Sequence, residues 1–257
     1  MAAQRRENVQ RIVAITGVAG GIGGAAARVF RAAGWTVVGV DRREDAVDGC
    51  CDHFIRADVS DADAPRQIFD AIEVKFGQLD ALVNNAACQI CKPLIETTAF
   101  EWDKIFGCNV RSIHLSVAHA YPMLKRSRGS IVNVSSVHAV ATSKGIGAYA
   151  ASKGALLALT RAMALEFGED GVRANAVLPG AVNTPMLHAG LSRGQPEGED
   201  VDKLIRGLGR KHVMGRVGNP CEIGQAILFL ADGDRSSFVT GQSMIVDGGA
   251  TARLSTE

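Results

Sequence analysis

Tyr149 and Lys153 lie four residues apart in an alanine-rich run, so their side chains rise from one face of the helix that the run predicts. Ser136 follows the β-like residues 131–135 and so falls just past the carboxyl end of a strand, the edge where an open α/β sheet binds ligands. A free tyrosine titrates near pH ~10 and is a poor base at neutrality, but a nearby ammonium favours the phenolate and lowers that value. So placed, Tyr149 can take a proton from an alcohol or return one to a carbonyl, while the Ser136 hydroxyl steadies the substrate oxygen. The three side chains offer no acceptor for a hydride. The chain is therefore expected to bind a nicotinamide through other residues.

Those residues stand near the start. Residues 11–16 read as a buried strand that breaks at TGVAGGIGGAAARVF, where Gly17, Gly21 and Gly23 allow a tight turn and a close approach of backbone N–H groups to a pyrophosphate. A second strand over 36–40 ends in Asp41, a carboxylate placed to accept from two ribose hydroxyls and to repel a 2′-phosphate, which favours NAD over NADP. Arg42 and Arg43 follow at once and soften that repulsion. A third strand over 54–57 closes at Asp58-Val59, where the aspartate could reach an adenine amino group. The strand over 79–83 runs into Asn84-Asn85-Ala86-Ala87, small residues that leave room for a cofactor across the strand ends or simply make a polar turn.

The remaining elements position the triple. Helices are expected over 62–76, with Ile68, Ile72 and 74–76 inward, and over 98–126 as one long helix apolar at Trp102, Ile105, Phe106, Val110, Ile113 and Val117. Asn109 falls inside that helix, unfavourable unless its amide has a partner or faces water. Further strands are read at 129–134, 172–178 and 242–246, and helices at 148–168 and 220–230. Residues 185–216 are the least regular stretch, with Gly190, Gly194, Pro196 and Gly198 among them, and read as a substrate lid or a passive insertion. Ala151, Ala155, Ala158 and Ala162 form a small-residue stripe suited to packing on the sheet or on a second subunit. Strand and helix alternate without a linker, which gives a single α/β domain: a doubly wound parallel sheet of about seven strands with helices on both faces.

Bulk properties exclude other classes. The 257 residues carry a formal net charge of +1, with 47% hydrophobic and 21% charged residues, giving no reason to expect nucleic acid or a membrane as partner. No run approaches the ~18 apolar residues of a membrane span, and the first residues lack a signal peptide's apolar core, so a cytoplasmic protein is expected. Six cysteines are too few for a disulfide scaffold. Cys88 and Cys91 form a C-x-x-C with no second pair to complete a zinc site, so no metal is expected, and Cys50 and Cys51 carry no assigned role.

From residue 11 to residue 249 the sequence resembles the classical short-chain dehydrogenases/reductases. The matching pieces are T-G-x-x-x-G-x-G at 16–23, Asp58, N-N-A-A at 84–87, Asn109, Ser136, Y-x-x-x-K at 149–153 and P-G-x-x-x-T at 179–184. The resemblance implies a Rossmann fold and an oxidoreductase that exchanges a hydride with a secondary alcohol or ketone, and Asp41 makes NAD the expected cofactor. It selects Ser136 over Ser135, and gives Asn109 the task of holding a water that links Lys153 to solvent. It implies that Lys153 also binds the nicotinamide ribose, that Thr184 contacts the carboxamide, and that Pro179, Gly180 and Val182 line the nicotinamide pocket. Ile22, Val59, Asn85 and Ala86 complete the implied cofactor contacts, and a homotetramer is the implied assembly. Ala87 departs from the family's usual glycine. His138, two residues past Ser136, is placed either to touch substrate or as a plain loop histidine; with Cys88, Cys91, Met186 and His188 it suggests a mixed pocket for a cyclic alcohol, a sugar or a hydroxy acid. The alternatives are an NADPH-dependent reductase of 3-oxoacyl thioesters, against which Asp41 argues, and a non-catalytic dinucleotide-binding sensor.

Overall fold

The computed structural model describes residues 10–44, 49–191 and 200–252. Among these, seven strands form one parallel sheet in the order β3-β2-β1-β4-β5-β6-β7. They are β1 (Ile12–Thr16), β2 (Thr36–Asp41), β3 (His53–Arg56), β4 (Ala81–Asn84), β5 (Ser130–Val134), β6 (Arg173–Pro179) and β7 (Ser243–Val246). The central strands β1, β2, β4 and β5 are buried along their whole length, as Ile/Val-rich runs must be when helices cover both faces.

The helices are α1 (Gly21–Ala32), α2 (Ala64–Phe76), α3 (Ala99–Phe106), α4 (Ser112–Ser127), α5 (Gly147–Phe167), α6 (Pro185–Leu191), α7 (Val201–Gly209), α8 (Pro220–Ala231) and α9 (Gly233–Ser236). On one face α2, α4 and α5 bury Ile68, Ile72, Val117, Leu124 and Leu156 against the sheet. On the other, α1 and α8 bury Val29, Phe30, Ile223 and Ile227. Gly224 lets the two helices of that second layer approach, since a Cβ there would stand 3.2 Å from the Ala26 Cα. Local signals set the ends: Asn219 and Glu222 make a capping box before α8, and Gly77 closes α2 in the left-handed region at φ 66°.

Strand order reverses between β1 and β4, so the loops leaving those strands diverge and open a crevice at their carboxyl ends. Four expectations need correction. The long helix over 98–126 is interrupted by a π-turn, Gly107–Arg111, wedged between α3 and α4. Val74 does not face inward but is 89% exposed, because Ile68, Phe69 and Ile72 already define the buried stripe of α2. The stretch 185–216 is more regular than its glycines and prolines suggest, since α6 and α7 occupy most of its described part; Gly194, Pro196 and Gly198 lie outside the described residues. Trp102, read among the apolar positions of that helix, is partly exposed and stacks on Phe106 with ring centroids 4.9 Å apart.

Candidate active site

Tyr149 and Lys153 occupy the first turns of α5, where the helix crosses the carboxyl end of β5. Lys153 is 2% exposed, and its ammonium donates to the Val134 carbonyl at 2.8 Å while lying 5.6 Å from the centre of the Tyr149 ring. Ser136 sits just past β5 and is hydrogen-bonded to the Tyr149 phenol, its Oγ also accepting from the His138 N–H at 3.2 Å. The Ser135 hydroxyl points elsewhere, donating to the Lys153 carbonyl at 2.9 Å. The resemblance already selects Ser136 over Ser135 by its spacing before the tyrosine.

The electrostatics differ from the expectation for a free pair. Burial pushes the Tyr149 phenol up to about 12, and the Ser136 hydrogen bond pulls in the opposite direction without winning. Burial likewise lowers Lys153 to about 8. The expected lowering by the ammonium does not appear, because desolvation dominates at the buried phenol.

Asn109 lies in the π-turn, fully buried. Its Oδ1 accepts the Cys88 N–H at 2.9 Å, and its Nδ2 donates to the Cys88 carbonyl at 3.0 Å and to the Ser152 hydroxyl at 3.0 Å. Ser152 in turn donates to the Tyr149 carbonyl at 2.7 Å. Asn109 therefore ties the loop after β4 to the helix that carries tyrosine and lysine, and the wider π-turn swings its amide into that position. Ser152 was missed by sequence reasoning, since a serine between two marked residues carries no spacing signal.

The nucleotide half is built at the other strand ends. A Cβ on Gly23 would stand 2.1 Å from the Gly17 carbonyl oxygen, and one on Gly21 would stand 2.7 Å from Thr184 Cγ2. Gly17 has φ 71°, which an L side chain resists. Gly20, which precedes α1, has no side chain to cap the helix, so the first-turn amides are available to an anion. Thr16, also unforeseen as a brace, accepts from the Asn85 and Ala86 N–H groups at 3.0 and 3.1 Å, while Asn85 Nδ2 donates to the Thr16 and Gly17 carbonyls. The Asn85 side chain thus holds the glycine turn against β4.

Asp41 ends β2 with its carboxylate accepting from the Ala19 and Arg43 N–H groups, both at 3.0 Å. Arg43 remains beside it at 3.8 Å, and Arg42 instead faces Asp58 at 3.6 Å. Asp58 is drawn upward by partial burial, but the Ser60 hydroxyl and N–H outweigh this and hold it below the usual carboxylate value. Val59 is buried, and Ile22 packs on the core of the α1 layer. These residues fit a dinucleotide: an uncapped helix end for the pyrophosphate beside a carboxylate for a ribose.

Pro179 closes β6, and Gly180 accommodates Asp247, against whose Cβ an added Cβ would stand 2.7 Å away. Val182 forms a parallel bridge to Gly218. Thr184 accepts the Leu187 N–H at 3.2 Å, which starts α6 directly over the glycine turn. Met186 and His188 lie on that helix; Met186 is 42% exposed, and His188 Nε2 is 2.6 Å from Asn183 Oδ1. His138 stands edge-on to Tyr149 with ring centroids 6.0 Å apart, its Nδ1 3.0 Å from the Thr142 hydroxyl, and burial holds it below the usual histidine value. In the loop after β4, Gln89 Nε2 contacts Cys91 Sγ at 2.8 Å, and Lys92 pairs with Glu101.

A buried tyrosine, lysine and serine at one end of a doubly wound sheet, beside a nucleotide cradle, define an oxidoreductase that handles a carbinol or carbonyl. A family model described as enoyl-(acyl carrier protein) reductase matches residues 17–251. Meso-2,3-butanediol dehydrogenase of Serratia marcescens is 37% identical over 249 residues, covering 94% of this chain and 95% of that protein. Cyclopentanol dehydrogenase of Comamonas testosteroni is 38% identical over 252 residues, covering 94% and 97%. The ligand-free structure of aldohexose dehydrogenase from Thermoplasma acidophilum matches with a TM-score of 0.90 at 33% identity, covering 96% of each chain. The chain belongs to the classical short-chain dehydrogenases/reductases, and acts as an oxidoreductase on CH–OH groups, interconverting a secondary alcohol and a ketone.

Proposed function

We propose that the protein is an NAD-dependent dehydrogenase of a small cyclic or polyhydroxylated secondary alcohol, with Tyr149 as the acid/base. The observation that carries this reading is the Tyr149 phenol, buried and hydrogen-bonded to Ser136, with the Lys153 ammonium beneath its ring. Tyr149 exchanges the hydroxyl proton, and Ser136 orients the substrate oxygen. Lys153 supplies positive charge where phenolate develops, and Asn109 holds the loop and helix that set these distances. The nicotinamide, when bound, supplies the hydride acceptor or donor. Gly17, Gly21, Ile22 and Gly23 would hold its pyrophosphate side, Asp41, Asp58 and Val59 its adenosine, and Asn85, Ala86, Lys153, Pro179, Gly180, Val182 and Thr184 its nicotinamide side.

NAD rather than NADP is supported by Asp41, whose buried carboxylate would be forced against a 2′-phosphate. Arg43 beside it reduces that penalty but is half-exposed, and so offsets little. The names of the similar proteins, a butanediol, a cyclopentanol and an aldohexose dehydrogenase, support a small secondary alcohol as substrate. α6 and α7 would cover it, with His138, Met186 and His188 as contacts. A tetramer built through the α5 stripe and a cytoplasmic location complete the proposal; among the described residues no helix is long and apolar enough to cross a membrane. Turnover of a panel of secondary alcohols with each dinucleotide tests the cofactor choice. NAD should be preferred, and Asp41→Ala should move the ratio of kcat/KM values toward NADP by about tenfold or more. A wild-type preference for NADP would reverse the assignment and favour the 3-oxoacyl thioester reading.

A further inference from the structure

The serine that meets the phenol also fixes a second ring beside it. Ser136 caps the short 3-10 turn Val137–Ala139, and its Oγ accepts the His138 N–H at 3.2 Å, so the backbone that places the serine places the histidine too. The side chain is held at a second point, where Nδ1 stands 3.0 Å from the Thr142 hydroxyl. A half-buried ring tied in both ways gives up little further freedom when a ligand arrives. It meets Tyr149 edge-on, with centroids 6.0 Å apart and planes at 77°. Nδ1 is occupied by Thr142, and among the described residues Nε2 has no protein partner.

The chemistry of that nitrogen selects its ligand. Burial holds the imidazole below its ordinary value and no charged side chain adds to or opposes the effect, so the ring is uncharged at neutral pH. The Thr142 hydroxyl can donate to Nδ1 or accept from it, which leaves Nε2 a donor in one tautomer and an acceptor in the other. A substrate hydroxyl satisfies either. A carboxylate only accepts and calls for a cation, and the Lys153 ammonium is already committed to the Val134 carbonyl beneath the Tyr149 ring. Reach narrows the choice again: with hydrogen bonds of about 2.8 Å from two rings this close, oxygens on neighbouring carbons fit the spacing.

We propose that His138 Nε2 binds a second hydroxyl, on the carbon next to the reacting one, which makes vicinal diols and the matching hydroxyketones the substrate class. This rests on the dehydrogenase reading above and narrows it, favouring molecules with adjacent hydroxyls and setting hydroxy acids aside. The reacting carbinol loses a hydride to the dinucleotide and a proton to Tyr149, and becomes a ketone. The neighbouring hydroxyl is held by His138 and leaves unchanged.

The test compares cyclohexane-1,2-diol with cyclohexanol, and 2,3-butanediol with 2-butanol, in the presence of NAD. In the wild type kcat/KM should favour each diol by about tenfold, most of it through KM, as one hydrogen bond to an uncharged group allows. His138→Leu, which removes both nitrogens, should bring the diol-to-alcohol ratio to about one, and His138→Gln, which keeps a polar end, should retain part of the preference. The ratio of dissociation constants measured by calorimetry in Tyr149→Phe with NAD bound should change in the same way when His138→Leu is added, a readout that needs no turnover. A histidine that only shapes the loop would lower both substrates together, so a ratio unchanged in both variants would overturn the proposal. A wild type that turns over the mono-alcohols as well as the diols would overturn it alone, whereas turnover of none of the four would sink the dehydrogenase reading with it.

Discussion

At the scale of single residues, burial is what makes the tyrosine and lysine unusual. Lys153 titrates at about 8 in the folded chain against 10.5 in the free side chain. The unfolded chain therefore binds the extra proton between these values, and stability rises with pH across that window. Tyr149 shows the reverse: at about 12 against 10.0, the folded chain keeps its proton longer, and stability falls as pH rises through that range. Comparing thermal melts of the ligand-free protein with Lys153→Met isolates the lysine. The wild type should gain on the variant by roughly several degrees from pH ~8 to ~10. An offset that does not change with pH would mean the ammonium is not destabilised by its surroundings. Sequence spacing was enough to place the phenol, the ammonium and Ser136 together, but not to weigh desolvation against charge, since burial depends on residues far along the chain.

At the scale of elements, the site depends on two interruptions of regular structure. The first is the glycine turn between β1 and α1, where conformation and close approach both demand glycine. Gly23→Ala pushes a methyl into the Gly17 carbonyl, so the protein should still fold while its dinucleotide Kd rises by about tenfold or more in calorimetry. Unchanged affinity would separate that turn from cofactor binding. The second is the π-turn at Asn109. Its glycine, cysteine and asparagine showed only that a helix interior held an ill-suited amide. The turn itself was hidden, because an extra residue per turn leaves no periodic mark in so short a segment. Similarly α6 and α7 were read as irregular from their glycines and prolines, whereas apolar groups at helical spacing, such as Leu204, Ile205 and Leu208, fold the described part.

At the scale of the whole molecule, the sheet order and the two covered faces follow from alternation of apolar strands and amphipathic helices, and nearly all of that was readable in the sequence. The assembly was not, because an exposed stripe carries no statement of what covers it. Ala151 and Ala158 face outward from α5, and Leu165 farther along the same helix is 82% exposed. Under the proposed tetramer, Ala158→Arg should shift the mass measured by light scattering to a smaller species without unfolding the chain. An unchanged mass would move the interface elsewhere. The measurement that tests the central claim most directly is single-turnover oxidation of a secondary alcohol by Tyr149→Phe, with NAD binding followed in parallel. The rate should fall by roughly three orders of magnitude while the NAD Kd stays within about threefold of the wild type. A variant that binds NAD and turns over at the wild-type rate would show that Tyr149 does not carry the proton.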